Sequence, residues 1–207
     1  MDGSLLLSSA YFPPVSYISL IKNADLIQIE REENYIKQTY RNRCMILGAN
    51  GPEILTVPVE SASFRKTRIK DVKIDYSKRW QQIHIRAFTS AYRSSAYFEY
   101  FFDMIELLIN TREKYLLDLN MKSLDIVMRI IGLTKPVEFS SHFEPVDDNP
   151  NDFRYKISPK IITPENFIFK EYFQVFSNKF GFVPDLSILD LVFNAGPDSI
   201  NYLGINK

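Results

Sequence analysis

Leu5-Leu6-Leu7, Tyr11-Phe12-Pro13-Pro14, Val15-Ser16-Tyr17-Ile18-Ser19-Leu20-Ile21 and Leu26-Ile27-Gln28-Ile29 follow one another within residues 5–29, and their order decides the fold class. The leucine run is short, apolar and stopped by the two prolines, which reads as a buried strand entering a turn. Val15, Ile18 and Ile21 then repeat at helical spacing, and Asn23-Ala24-Asp25 ends that segment before the second strand. Strand, proline-punctuated turn, helix and strand within so few residues make a parallel βαβ unit. The expectation is an α/β fold with a Rossmann-like start and a mixed sheet, α+β being the alternative, followed by a helical subregion.

Working outward, Tyr35 to Ile46 and Ile54 to Val59 read as two further strands joined at Gly48-Ala49-Asn50-Gly51, where Asn-Gly suits a hairpin turn. Ile69 to Ile74 has the mixed pattern of an edge strand. Trp80 to Tyr92 predicts a half-buried helix with Trp80, Ile83, Ala87, Phe88 and Ala91 inward, and Tyr97 to Ile109 predicts another. Asn120 is expected to cap a third helix that ends at Gly132. Ser140 to Pro164 is rich in Pro, Asp, Asn and Ser and predicts a long, lid-like loop whose one strand is Phe153 to Ile157. Phe167 to Phe180 reads as helical, as does Ile188 to Phe193. The organisation is one domain over residues 1–207: sheet-rich 1–75, helical 76–139, loop 140–166 and C-terminal helices 167–207.

Composition narrows the function classes. Of 207 residues, 45% are hydrophobic and 24% charged, ordinary globular usage. Lys plus Arg equals Asp plus Glu at 25 each, so no net basic field draws the chain to nucleic acid or anionic lipid. Cys44 stands alone and the histidines number two, a poor metal kit, so no metal is expected and the cofactor is unknown. No apolar run approaches the roughly 20 residues of a membrane-spanning helix, and a cytoplasmic location is expected. Walker, dinucleotide-fingerprint, nucleophile-elbow and paired-histidine zinc motifs are absent from the sequence.

Candidate chemistry concentrates in Lys37-Gln38-Thr39-Tyr40-Arg41-Asn42-Arg43. Read as a strand, this places Lys37, Thr39, Arg41 and Arg43 on one face, a stripe able to grip phosphate or carboxylate, and Gln38, Tyr40 and Asn42 on the other. A solvated sheet face explains the stripe equally well. His84 lies one turn after Trp80, where a general base and a satisfied core imidazole look identical from sequence. Asp190 stands at capping-box spacing from Ser187, so helix capping competes with a ligand role.

Several of these segments resemble the WbqC-like family in order and spacing over nearly the whole chain. They are Tyr11-Phe12-Pro13-Pro14 with Tyr17, Ala24-Asp25, Lys37 with Asn42-Arg43, Leu55-Thr56-Val57-Pro58, Trp80 with His84, Tyr92 with Ala96-Tyr97-Phe98, Leu119-Asn120, Tyr172-x-Gln174-x-Phe176, and Leu186 through Asp190 to Asn194 and Gly196. The chain departs from the pattern at Ser9-Ala10, where Gln-Pro is common, at Ser16, where Gly is common, at Tyr40, where Trp is usual, and at Glu30-Arg31, where acidic residues are usual. The resemblance adds Tyr17 and Gln174 to the ligand-binding candidates. Family members are often encoded among genes for O-antigen and other bacterial surface polysaccharides, which implies a role with an activated sugar. Pro14-x-Ser16-Tyr17 also lies where Rossmann-like nucleotidyltransferases carry a His-x-Gly-His turn, but the imidazoles are missing, which argues against ordinary nucleotidyl transfer.

Two readings follow. A transferase on a nucleotide- or lipid-linked sugar would use Lys37, Arg41 and Arg43 to hold phosphate or carboxylate and His84 as base, all meeting in one pocket, with a nucleotide sugar or phosphorylated sugar as partner. A non-catalytic accessory protein of a polysaccharide-synthesis complex would bury His84 away from the basic stripe. Nucleic-acid binding is the least favoured.

Overall fold

The computed structural model describes residues 4–61, 66–145, 149–160 and 167–206. Strand β1 (Ser4–Ser8), helix α1 (Val15–Asn23) and strand β2 (Leu26–Glu30) form the expected parallel unit, with Leu5 opposite Ile27 and Leu7 opposite Ile29. Every residue of α1 from Val15 to Ile21 is buried, so the helix is a core element on all sides. Pro14 supplies its extended entry, and the helix N-terminus is held by two backbone contacts from the far end of the chain, Val15 N to Leu186 O and Ile188 N to Pro13 O.

The α/β class stands. The antiparallel hairpin, β3 (Arg43–Gly48) with β4 (Gly51–Thr56), forms a sheet of its own instead of extending the first one. Ala49 and Asn50 make its tip, and Gly51 takes the positive φ of +114° that the turn requires. The chain from 35 to 42 is a series of turns, not the first half of β3. Ile69–Asp71 is a 3-10 turn where an edge strand was expected, because Ile69 and Val72 both point into the core.

Helices α2 (Trp80–Tyr92), α3 (Phe98–Asn110) and α4 (Leu116–Ile130) match the helical subregion. Within α2 the inward stripe is Trp80, His84, Phe88 and Ala91; Ile83 faces outward. Asn120 lies inside α4, not at its cap, and Gly132 ends that helix with φ +69°. Strand β5 (Val137–Phe139) joins β2 in parallel, giving the order β1-β2-β5.

Beyond β5 the pattern reading departs furthest from the structure. Phe153 to Ile157 is a turn, and Asp152 bridges to Leu6 on the free side of β1. Parts of the expected loop, 146–148 and 161–166, lie outside the described residues. Between 167 and 180 only Ser177–Phe180 (α5) is helical; Phe167–Ile168 (β6) pairs with Ile205–Asn206 (β7). Ile188–Ala195 (α6) is helical as expected, buried from Ile188 to Phe193, and packs on α1, α2, α3 and α4.

Candidate functional site

Ligands of parallel α/β sheets bind beyond the carboxyl ends of the strands. Here Ser8 ends β1, Glu30 ends β2 and Ser140 follows β5, and all three side chains are buried polar groups. They belong to a layer of five buried charges. Arg41 donates from Nε to Glu33 Oε1 at 2.8 Å and from Nη2 to Glu33 Oε2 at 2.6 Å, and the same Nη2 lies 2.6 Å from Ser8 Oγ. Ser8 in turn donates to the Arg154 carbonyl at 2.9 Å. Arg154 donates to Asp152 from Nε and Nη2 and to Glu30 Oε2 from Nη1 at 3.1 Å. Ser140 Oγ donates to the second Glu30 oxygen at 2.6 Å. Buried ions are tolerated only when paired and hydrogen-bonded, and each of these is.

A cleft opens against this layer. Ser8, Ser9, Tyr17, Tyr40, Arg41 and Arg154 supply its polar wall, and Phe153 and Ile157 cover it. It leaves about 10 Å³ of room for the centre of a water molecule, enough for one. Tyr17 donates its hydroxyl to the Ser8 carbonyl at 2.9 Å, while burial raises the pKa of both Tyr17 and Tyr40, keeping the phenols protonated. Asn120 crosses from α4 to donate to Ser9 Oγ and to the Arg41 carbonyl, tying the polar turn to the helical layer.

Of the residues singled out in the sequence, Tyr17, Tyr40 and Arg41 meet in this cleft. The others do not line it. The single-face stripe of Lys37, Thr39, Arg41 and Arg43 does not exist, because residues 35–42 are not extended and Gln38 has φ +62°. Lys37 is exposed on that turn, whereas Arg41 is buried and its fork is already engaged by Glu33. Asn42 donates to the Val57 carbonyl at 2.9 Å, and Arg43 begins β3, with its Nε buried and lacking an acceptor among the described residues.

His84 is enclosed by the rings of Tyr11, Trp80 and Phe88. Its Nδ1 lies 2.9 Å from the Tyr11 hydroxyl, and desolvation lowers its pKa to about 4 despite a hydrogen bond with the Thr56 backbone. The imidazole is therefore neutral at neutral pH, and it lies apart from the cleft. Gln174 and Asp190 form a second buried cluster. Asp190 Oδ2 accepts from Tyr172 at 2.7 Å and from Gln174 Nε2 at 2.9 Å, while Gln174 also makes both hydrogen bonds to the Val183 backbone. Burial raises the Asp190 pKa to about 6. Ser187 caps α6 by accepting from Leu189 N, but Asp190 does not reach back to close a capping box.

Glu30, Glu33, Asp152, Arg154 and Asp185 are not among the site candidates that the sequence pattern supplies. Asp185, at φ +56°, accepts from Ser16 N at 2.8 Å and Ser16 Oγ at 3.0 Å, so the anion-attracting start of α1 is filled by a carboxylate of the chain itself. One signal for the acids was available: Glu30 and Glu33 directly follow an apolar strand that a buried helix pairs with, where charge needs a partner.

A sequence profile of the WbqC-like protein family matches residues 8–168. The Mycobacterium tuberculosis (strain ATCC 25618 / H37Rv) protein described as "Uncharacterized protein Rv1507c" is 25% identical over 230 aligned residues, covering 98% of each chain. No solved structure matches.

Proposed function

This chain belongs to the WbqC-like protein family, and from that premise we propose that it is a transferase acting on an activated sugar of bacterial surface-polysaccharide synthesis, with the sugar held in the cleft beyond β1. The observation that carries this reading is the convergence of Tyr17, Tyr40, Ser8 and Ser9 at the carboxyl end of a parallel strand. Phenol faces beside hydroxyls suit a sugar ring, which offers apolar faces and a rim of hydroxyl groups.

The charges favour the sugar part over its phosphate. Three carboxylates, Glu30, Glu33 and Asp152, face two guanidiniums, Arg41 and Arg154, so neither arginine is free to clamp an anion. Arg41 shapes the cleft, and Tyr40 brings a phenol to its wall. A phosphate-bearing leaving group would extend outward, toward the exposed turn that carries Lys37.

The accessory-protein reading rests on two observations: His84 is enclosed in the aromatic core, and the cleft as it stands has room for about one water. Thermal-shift measurements against free sugars, sugar phosphates and nucleotide sugars separate the two, since a ligand of the native state raises its stability by mass action. Stabilisation by sugar-bearing ligands that is lost in Tyr40→Phe supports the transferase. No shift with any of them, together with co-purification of a polysaccharide-pathway protein, supports the accessory role.

A further inference from the structure

Helices α2 and α3 expose opposite charge that the chain does not neutralise. Arg79, Arg86 and Arg93 recur every seven residues along the outer face of α2, and all three are exposed. Glu99, Asp103 and Glu106 recur at helical spacing along α3, the first two exposed and the third half-buried. Among the described residues none of these six has an ion-pair partner. Neighbouring α4 is different, because its Arg129 pairs with Asp125 and its Lys122 with Glu113.

Apolar side chains sit beside both rows. Ile83 on α2 is 58% exposed, and Tyr100 and Leu107 on α3 are 75% and 70% exposed, with Met104 between them. Met104 and Leu107 border a groove shared with Lys122, Asp125 and Ile126 of α4, and exposed apolar residues rimmed by charge have the composition of a contact surface.

We propose that this face binds a second copy of the chain across a two-fold axis, with α2 of each copy lying on α3 of the other. Two features select a second copy over an unrelated partner. Both complementary rows are on one chain whose net charge is zero, so an isologous contact satisfies each row once. The spacing also agrees: Arg86 to Arg93 and Glu99 to Glu106 are each seven residues, about 10 Å along a helix. An antiparallel crossing sets the two arginines against the two glutamates and brings Ile83 beside the Leu107 end of the other copy's apolar stripe, giving a four-helix arrangement from two helix pairs.

The test is the mass of the full chain in solution, by light scattering and sedimentation, for wild type and two charge-reversal variants. Wild type is expected at twice the 24.2 kDa chain mass, dissociating as salt is raised. R86E with R93E on one variant, and E99K with E106K on the other, should each be monomeric with unchanged circular dichroism. Mixed in equal amounts, the two should form a heterodimer, since every arginine–glutamate contact is then restored in one sense or the other. A wild-type monomer at the highest soluble concentration would overturn the proposal. So would a dimer that either variant leaves intact, or two monomeric variants that do not combine.

Discussion

Arg41 holds both oxygens of Glu33 and also reaches Ser8, with side-chain exposures of 4% and 0% for the ion pair. At this depth water cannot replace a lost partner, so Arg41→Ala leaves a buried carboxylate uncompensated. The expected loss is about 3–5 kcal/mol in urea unfolding. Arg41→Lys keeps the charge but not the fork and should lose less. If both substitutions cost under about 1 kcal/mol, the pair is solvated in solution and the cleft is wetter than its geometry indicates.

Three buried titratable groups set a pH dependence whose components oppose one another. Asp185 and Asp190 are raised from 3.8 to about 6, so they bind a proton more tightly in the folded chain. Their contribution is complete below about pH 4 and is lost as pH rises to 6. His84, lowered from 6.5 to about 4, contributes fully above 6.5 and loses that contribution as pH falls to 4. Asp190→Asn removes one of the two carboxyl contributions and leaves that of Asp185. Relative to wild type, the variant should gain roughly 2–3 kcal/mol of stability between about pH 4 and pH 7. A difference that stays constant across that range would mean that Asp190 does not titrate between those values.

At the scale of elements, the sequence was readable wherever apolar periodicity alone placed the backbone. The βαβ start, the hairpin and the helices α2, α3 and α4 all rest on such patterns. It misled where polar side chains take over. Lys37, Thr39, Arg41 and Arg43 alternate as a strand does, but the 35–42 segment is held by Arg41 bonding Glu33 and by Asn120 bonding the Arg41 carbonyl. The aromatic stretch from 167 to 176 looks helical, yet the Gln174 side chain binds both the Val183 backbone and Asp190. Contacts between residues distant in sequence leave no period to find. The candidate cleft was legible to the same degree: Tyr17, Tyr40 and Arg41 stand out in the sequence and line it, while the carboxylates and Arg154 beside them required the fold.

The ends of α4 and α6 each carry a glycine of positive φ, in different surroundings. Gly132 and Gly196 have φ of +69° and +57°, but a Cβ on Gly132 meets nothing within 4 Å, whereas one on Gly196 would lie 2.5 Å from the Tyr97 ring. Gly132→Ala should therefore cost only the left-handed penalty, about 1–2 kcal/mol. Gly196→Ala adds a steric overlap that must displace Tyr97 and a backbone at φ +57°, ψ −134° that lies outside the left-handed helical region, and should cost visibly more in thermal unfolding. Equal losses would show that both the Tyr97 ring and the local backbone relax around the new methyl group.

Over the whole molecule, the cleft's accessibility depends on one segment. Residues 149–160 lie along the free side of β1 through two backbone hydrogen bonds, Leu6 N to Asn151 O at 3.0 Å and Phe153 N to Leu6 O at 2.9 Å. The same segment brings Phe153 and Ile157 over the cleft and sets Arg154 between Asp152 and Glu30. A sugar is far larger than one water, so the proposed binding would require this segment to move, and Arg154 is one contact that holds it down. Arg154→Gln should shift the population toward the open form. Amide exchange at Leu6 and Phe153 should then accelerate, while Leu116 N, bonded to Val72 O at 2.9 Å far from the segment, keeps its wild-type rate. If all three amides accelerate together, Arg154 supports the fold as a whole; if none does, the segment is held by Phe153 and Ile157 packing, and the route into the cleft lies elsewhere.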